Sequence, residues 1–121
     1  MSKILVVDDA PEISILMEDI LTPQQYEIEA AANADAAWEK IRQSPPDLIL
    51  LDVMMPGKNG YEFCKELKNS TYRNIPVIMV SVKRDQADLD RGTKVGAADY
   101  VTKPFDPEDL VRRIKNILEP K

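Results

Sequence analysis

Five short apolar runs that alternate with helical patterns constrain the fold of this chain more than any other feature. The runs are KILVV (3–7), YEIEA (26–30), LILL (48–51), PVIMV (76–80) and DYV (99–101). Helices are predicted between and after them from apolar residues three and four positions apart, at 13–21, 34–41, 60–69, 86–96 and 107–118. Because parallel strands need crossover connections, and these are usually helices, the alternation predicts an α/β fold with a parallel sheet covered on both faces.

The composition of the runs predicts where each strand lies in the sheet. The first, third and fourth runs are continuously apolar, which is typical of strands covered on both faces. The second run alternates, with Tyr26, Ile28 and Ala30 on one face and two glutamates on the other, and this indicates an edge strand. We therefore expect one domain over residues 1–121, with a flavodoxin-like doubly wound (βα)5 fold and five parallel strands in the order 2-1-3-4-5.

Two predicted helices carry informative residues. The last helix has a clear beginning, with Asp106 as its N-cap and Pro107 at its first position. The helix predicted at 86–96 is the weakest, because Gly92 lies in its interior, where glycine costs about 1 kcal/mol relative to alanine. We expect that helix to be the least stable and the most adjustable.

The composition excludes several classes of function. The chain contains no histidine, which excludes histidine-based triads, general bases and metal sites. Cys64 is the single cysteine and can form no internal disulfide, so a cytoplasmic location is expected. The net charge of −5 predicts no direct nucleic-acid binding, and no apolar run is long enough to span a membrane.

Polar residues follow four of the apolar runs at the point where each strand ends. Asp8 and Asp9 follow the first run, Asp52 the third and Ser81 the fourth, while the fifth leads to Lys103. In an open parallel sheet these strand ends share one edge, and ligands bind where the strand order reverses. The order 2-1-3-4-5 therefore predicts that the three carboxylates meet between strands 1 and 3.

Three carboxylates at one place need a compensating charge. Two ionised carboxylates about 5 Å apart repel by roughly 3 kcal/mol at an effective dielectric constant near 20. Three such pairs would oppose folding by roughly 10 kcal/mol, which is comparable with the whole stability of a small domain. Partial protonation can relieve the repulsion, but a divalent cation does so better, and ligands that are all oxygen suit Mg²⁺ or Mn²⁺.

Lys103 and Ser81 would extend this site toward a phosphoryl group. An ammonium group suits a phosphate oxygen, and the Ser81 hydroxyl offers a further donor on the neighbouring strand. An aspartate such as Asp52 can act as a nucleophile toward phosphorus and form an aspartyl phosphate. The sequence therefore predicts phosphoryl transfer assisted by Mg²⁺ at this edge of the sheet.

Each of these residues has a simpler interpretation when it is taken alone. Asp8 and Asp9 could cap the first helix, Asp52 and Ser81 could stabilise turns, and Lys103 could be a solvated loop residue. Their joint position at the same end of four strands favours the functional interpretation.

Four fragments that contain these residues resemble the receiver domain of two-component response regulators, in the form of a stand-alone, chemotaxis-regulator-like receiver. They are KILVVDD, LILLDVMMPGKNG, PVIMVS and ADYVTKPF, and they fall in order and at fitting spacing along the chain. The resemblance covers essentially the whole sequence.

The resemblance implies a role for each site residue. Asp52 matches the phosphoacceptor, while Asp8 and Asp9 match the acidic pair that binds the metal, Asp9 directly and Asp8 mostly through water. The remaining matches are Met54 as a metal ligand through its backbone carbonyl, Ser81 as the switch hydroxyl, Lys103 as the contact to the phosphoryl group, and Tyr100 as the aromatic side chain that reorients with Ser81.

Two local features accompany these matches. The resemblance implies a cis peptide bond between Lys103 and Pro104. Val82 departs from the family pattern, which usually has a small residue after the switch hydroxyl. A β-branched side chain there could slow the exchange of the phosphoryl group, and a decay rate unchanged in Val82→Ala would contradict that hypothesis.

We interpret the chain as a signalling switch that accepts a phosphoryl group on Asp52 in a Mg²⁺-dependent reaction (Mn²⁺ would also serve). The donor would be a sensor histidine kinase or a histidine phosphotransfer protein, and the switch would act on a downstream protein target. The chain would not be an enzyme, because it would promote only its own phosphorylation and dephosphorylation. The alternative is a receiver-fold interaction module that acts without phosphorylation. A haloacid-dehalogenase-type phosphatase is disfavoured because Met54 stands where its second aspartate belongs, and an FMN carrier because DDAPE is acidic.

Overall fold

The computed structural model describes residues 1–119 and contains one sheet of five parallel strands. The strands are β1 (Ser2–Val7), β2 (Tyr26–Ala31), β3 (Leu48–Leu51), β4 (Val77–Ser81) and β5 (Asp99–Thr102). They lie in the order β2-β1-β3-β4-β5, which confirms the predicted topology and places β2 at an edge. Every neighbouring pair is parallel, so the carboxyl ends of all five strands share one edge.

Five helices cover both faces of the sheet, as predicted. They are α1 (Pro11–Leu21), α2 (Ala34–Gln43), α3 (Gly60–Lys68), α4 (Gln86–Lys94) and α5 (Pro107–Leu118), with a short 3-10 helix at Thr22–Gln24. One apolar cluster joins the sheet to α2 and α3 through residues such as Ile41 and Phe63. A second cluster on the opposite face joins it to α1 and α5 through Met17 and Leu110. Among residues 1–119, no helix combines the length and the apolar character needed to cross a bilayer.

The edge strand β2 is anchored at both ends, but in different clusters. Tyr26 is buried in the cluster with α1 and α5, and Ala31 is buried in the cluster with α2 and α3. Ala30, predicted on the same face as Tyr26, is exposed. The predicted alternation therefore does not hold at Ala30, and the strand extends to Ala31, one residue beyond the predicted run.

The helix ends follow from their capping residues. Asp106 caps α5 as predicted, because its carboxylate accepts a hydrogen bond from the N–H of Glu108 at 3.1 Å. Asn59 and Glu62 form a reciprocal capping box at the start of α3. The helix predicted at 86–96 ends at Lys94, because the chain turns at Gly96, whose φ of +100° lies in the left-handed region that favours glycine.

The domain prediction covers residues 1–121, whose last two positions lie outside the described residues, and it stays a prediction.

Candidate functional site

Three carboxylates meet at the carboxyl edge of the sheet, between β1 and β3. Asp8 and Asp9 follow β1, Asp52 follows β3, and the ligand oxygens of the three side chains lie within 4.8 Å of one another. The backbone N–H of Asp52 donates to the carbonyl of Val7 at 2.9 Å, which extends the ladder of the sheet into the site. Asp8 and Asp52 are only 5 % and 7 % exposed, whereas Asp9 is exposed. The cluster is therefore desolvated on two sides and open at Asp9.

Lys103 provides the cation nearest to this cluster. Its Nζ atom lies 2.8 Å from Asp8 Oδ2 and 3.7 Å from Asp52 Oδ2. The position of Lys103 is fixed by its own backbone, whose N–H donates to the carbonyl of Ser81 at 2.8 Å, and the peptide bond to Pro104 is cis, as the resemblance implies. One ammonium group thus offsets part of the repulsion between two buried carboxylates.

The pKa of Asp52 is raised, first by burial and then by the neighbouring negative charge of Asp8. Lys103 and a hydrogen bond from the backbone N–H of Met54, at 3.2 Å from Asp52 Oδ1, oppose this rise. Burial and like charge outweigh these two favourable contacts, so the ionised Asp52 carboxylate is less stable here than in water. A group that neutralises negative charge would stabilise it.

The donor set of the cluster fits a hard divalent cation. It consists of carboxylate oxygens without nitrogen or sulfur, which is the chemistry that suits Mg²⁺ or Mn²⁺. Asp8 already accepts hydrogen bonds from Lys103 and from the N–H of Ala10, so Asp9 and Asp52 keep the larger share of free oxygen sites. The carbonyl of Met54 stays a predicted ligand.

The capping interpretation of the acidic pair is not what the structure shows. The N-cap of α1 is Ala10, which makes no side-chain capping bond, and Asp8 accepts from the N–H of Ala10 rather than from the first turn of the helix. The carboxylate of Asp8 is therefore directed toward the site.

Ser81 and Tyr100 lie on adjacent strands and are linked through one loop. Ser81 is fully buried, and its hydroxyl oxygen accepts from the N–H of Lys83 at 3.2 Å. The hydroxyl of Tyr100 donates to the carbonyl of the same Lys83 at 2.8 Å. The loop after β4 is thus fixed through both backbone groups of Lys83, its N–H and its carbonyl. A shift of Ser81 would therefore move the carbonyl that accepts the hydrogen bond from Tyr100.

Tyr61 is a part of this network that the sequence analysis missed. Its buried hydroxyl lies 3.1 Å from the carbonyl of Asp88 in α4 and 3.4 Å from the hydroxyl of Tyr100. The guanidinium of Arg91 lies over its ring, 4.5 Å from the centroid. A signal was available, because Tyr61 precedes Cys64 at core spacing and a buried phenol needs a hydrogen-bond partner.

Gly60 was also missed, although it controls the backbone beside Asp52. A Cβ atom at this position would clash with the carbonyl oxygen of Asp52 and would lie 2.9 Å from Val53 Cα. The N–H of Gly60 donates to the carbonyl of Val53 at 2.9 Å. The start of α3 therefore packs directly on the segment that presents Asp52, which only glycine permits.

An apolar depression adjoins the site on the side of α1. Its volume is about 420 Å³, and its lining is mainly apolar, with Arg84 and Lys103 as its two charged residues. The apolar lining includes Ile13, Leu16, Val82, Pro104 and Phe105. Val82, which departs from the family pattern, is 53 % exposed and Leu16 is 41 % exposed. Apolar side chains therefore face solvent next to the acidic cluster.

Comparisons with known proteins identify close similarity along most of the chain. The profile of the response regulator receiver domain matches residues 4–115. The transcriptional regulatory protein BaeR of Escherichia coli O6:H1 is 39 % identical over 116 residues, which are 96 % of this chain and 48 % of that protein. The chain therefore spans about half the length of the curated relatives it matches.

Solved structures show the same architecture. The chemotaxis protein CheY4 of Vibrio cholerae has a TM-score of 0.90 and 34 % identity, with 98 % of this chain and 99 % of that chain covered. The BeF3-activated N-terminal receiver domain of RstA from Klebsiella pneumoniae has a TM-score of 0.90 and 30 % identity, with coverage of 97 % and 98 %.

Proposed function

The chain belongs to the response regulator receiver domain family, and from this membership we propose that it is a phosphorylation-controlled signalling switch whose phosphoacceptor is Asp52. Members of this family are regulatory proteins rather than classical enzymes. The observation that carries the proposal is the position of Asp52, a buried carboxylate of raised pKa beside Asp8, Asp9 and the ammonium of Lys103.

The proposed reaction is a phosphoryl transfer from a phosphohistidine. A carboxylate oxygen of Asp52 forms a bond to phosphorus, the bond between phosphorus and the imidazole nitrogen breaks, and its electron pair stays on the imidazole. The donor histidine lies outside these 121 residues, which include no histidine. Partners of this type are a sensor histidine kinase or a histidine phosphotransfer protein.

Asp9, Asp52 and the Met54 carbonyl would hold Mg²⁺, with Asp8 contributing through water. When bound, the ion supplies charge neutralisation for the phosphoryl oxygens. Lys103 would move its hydrogen bond from Asp8 toward the phosphoryl group, over the 3.7 Å that now separates its Nζ from Asp52. This exchange of partners is a local charge event of the kind that biases a two-state element.

The readout would pass through Ser81 and Tyr100. Attraction of the Ser81 hydroxyl toward the phosphoryl group would release the N–H of Lys83, whose carbonyl now holds the Tyr100 hydroxyl. Reorientation of Tyr100 would then change the surface of α4, β5 and α5 that a downstream protein contacts.

The apolar depression beside Lys103 is a suitable docking surface for the phosphodonor. Leu16, Val82 and Phe105 would bury apolar area against a partner while its phosphohistidine reaches Asp52. BaeR is a transcriptional regulator about twice as long as this chain, and we propose no DNA binding by residues 1–121. The cytoplasmic location stays a prediction.

The test is intact-mass analysis after incubation with acetyl phosphate, with and without Mg²⁺, beside Asp52→Asn. We expect an adduct of one phosphoryl group that needs Mg²⁺ and is absent from the variant. Beryllofluoride, which activates the RstA receiver, serves as a second probe. If neither acetyl phosphate nor beryllofluoride modifies the site, the chain acts as an interaction module without phosphorylation.

A further inference from the structure

A groove between α3 and α4 concentrates positive charge on an acidic protein. Its volume is about 660 Å³, and it lies outside the acidic cluster. Its lining includes Glu62, Val95 and the four cations Lys65, Lys68, Arg91 and Lys94. The chain as a whole carries 16 basic and 21 acidic residues and a net charge of −5, so four cations around one groove run against its general character.

Among the described residues 1–119, these cations have no carboxylate partners. Within residues 1–119, Lys65, Arg91 and Lys94 form no ion pair. Lys68 donates only to backbone carbonyls, those of Arg73 at 3.1 Å and Ile75 at 2.7 Å. Glu62 is the one acid in the lining, and its carboxylate accepts from the N–H of Asn59 in the capping box. The groove therefore carries a net positive charge, with four cations and one carboxylate in its lining.

Two of the cations are held in place before anything binds. The stem of Lys68 packs on Gly96, where a Cβ atom would lie 2.9 Å from Lys68 Cγ. Arg91 lies over the ring of Tyr61 at 4.5 Å from its centroid. Side chains that are already ordered lose less conformational entropy when they bind a ligand.

Helix dipoles alone do not explain the arrangement. Basic residues in the last turn stabilise a helix, and Lys40 of α2 and Lys115 of α5 also occupy that position. In α3 and α4, however, the last turns lie side by side, so their cations face the same groove. Lys40 and Lys115 therefore provide a matched control for the groove lysines, because they also lie in the last turn of a helix but do not line the groove.

We propose that the α3–α4 groove binds a short acidic segment of a partner protein, in which carboxylates alternate with apolar side chains. The carboxylates would pair with Lys65, Lys94 and Arg91, and the apolar side chains would contact the half-buried Val95. A continuous nucleic-acid backbone fits less well, because the carboxylate of Glu62 lies in the lining among the cations. The proposal goes beyond the phosphorylation switch and does not require it.

The test is fluorescence anisotropy with the unphosphorylated chain and a fluorescein-labelled peptide of repeating Asp-Leu-Glu units. We expect saturable binding that weakens between about 50 and 300 mM NaCl, as screening of surface charge requires. The same peptide with Asn and Gln in place of its acids should not bind. The double variant Lys65→Gln/Lys94→Gln should raise the Kd by about ten-fold, a usual range for two interface charges.

The matched control is Lys40→Gln/Lys115→Gln, which removes the same net charge from the same helix position and should change the Kd less than about two-fold. Equal weakening by both double variants would mean that only net charge matters, and it would overturn the proposal. So would the absence of saturable peptide binding in the wild-type chain. Binding of a single-stranded oligonucleotide as tight as that of the peptide would instead identify a general polyanion surface and would also contradict it.

Discussion

Lys103 Nζ lies 2.8 Å from Asp8 Oδ2, although 95 residues separate them in the chain. This contact joins the end of β1 to the segment after β5, across β3 and β4. Lys103 is thus bound to a neighbour of Asp52, with Asp52 itself at 3.7 Å. The same ammonium therefore stabilises the cluster now and stands within reach of a group on Asp52.

Lys103→Gln is expected to reduce stability, because two buried carboxylates lose their nearest cation. We expect a loss of about 2 kcal/mol in the free energy of unfolding. This is less than the loss from breaking a fully buried ion pair, because the cluster is open to solvent at Asp9. Urea denaturation followed by circular dichroism measures it. Lys58→Gln, which breaks the exposed pair with Glu66, is the control and should lose less than about 1 kcal/mol. Equal losses in the two variants would contradict the assigned role of Lys103.

Asp52→Asn is expected to stabilise the protein at neutral pH. The folded-state pKa of Asp52 is raised by burial and by Asp8, so its contribution to stability is fully present below the unfolded pKa and is lost as the pH rises through the folded pKa. The neutral amide avoids that loss. The stability difference between variant and wild type should therefore be largest near pH 7 and shrink as the pH falls toward the ordinary carboxyl pKa of 3.8. Urea denaturation without divalent cations, at several pH values, measures it, and a pH-independent difference would oppose the explanation.

Mg²⁺ is expected to raise the stability of the wild-type chain, because the ion proposed for this site would bind the folded cluster and not the dispersed carboxylates of the unfolded state. Mg²⁺ at ten times its Kd would add about 1.4 kcal/mol. Thermal unfolding with increasing Mg²⁺ measures the effect. Asp9→Asn should remove most of it, whereas Asp35→Asn, which alters an exposed acid in the first turn of α2, should not. A Mg²⁺ effect that survives in Asp9→Asn would exclude Asp9 as a ligand.

The sequence predicted the fold and the meeting of the three carboxylates because both follow from simple periodicities. Parallel strands align their carboxyl ends, so residues such as Asp8 and Asp52 must share an edge once the strand order is known. The choice of Asp8 rather than Asp52 as the closest partner of Lys103 was not predictable, since it depends on the backbone path after β5. The role of Tyr61 was not predicted either, because its hydrogen-bond partner lies on α4, a helix distant in sequence.

Tyr61→Phe tests the link between the site and α4. The variant removes the hydroxyl that contacts the carbonyl of Asp88 and should cost about 1 kcal/mol in the free energy of unfolding. Amide hydrogen exchange within Gln86–Lys94 should accelerate more than exchange in α2, because the lost contact is local to α4. Tyr72→Phe is the control, since this half-buried tyrosine packs on Trp38 and its hydroxyl bonds to no side chain or backbone among residues 1–119. Uniform acceleration across all helices would contradict a specific link.

A substitution at Gly92 tests whether glycine at this position only weakens α4 or is required by the packing around it. By propensity alone, Gly92→Ala would stabilise α4 by about 1 kcal/mol. In the structure, however, a Cβ at this position would lie 2.9 Å from Tyr100 Cδ2, so the ring of Tyr100 would have to move. We therefore expect Gly92→Ala to destabilise the chain by about 1 kcal/mol, as overpacking does.

The same substitution in a Tyr100→Ala background should be stabilising, because the ring that opposes the methyl group is gone. A double-mutant cycle from urea denaturation measures the coupling between the two positions. Coupling near zero would mean that Gly92 is only a weak helix residue, as its place in the sequence suggests. Strong coupling would mean that the absence of a side chain at Gly92 makes room for the ring of Tyr100, and that the packing of this ring depends on the position of α4.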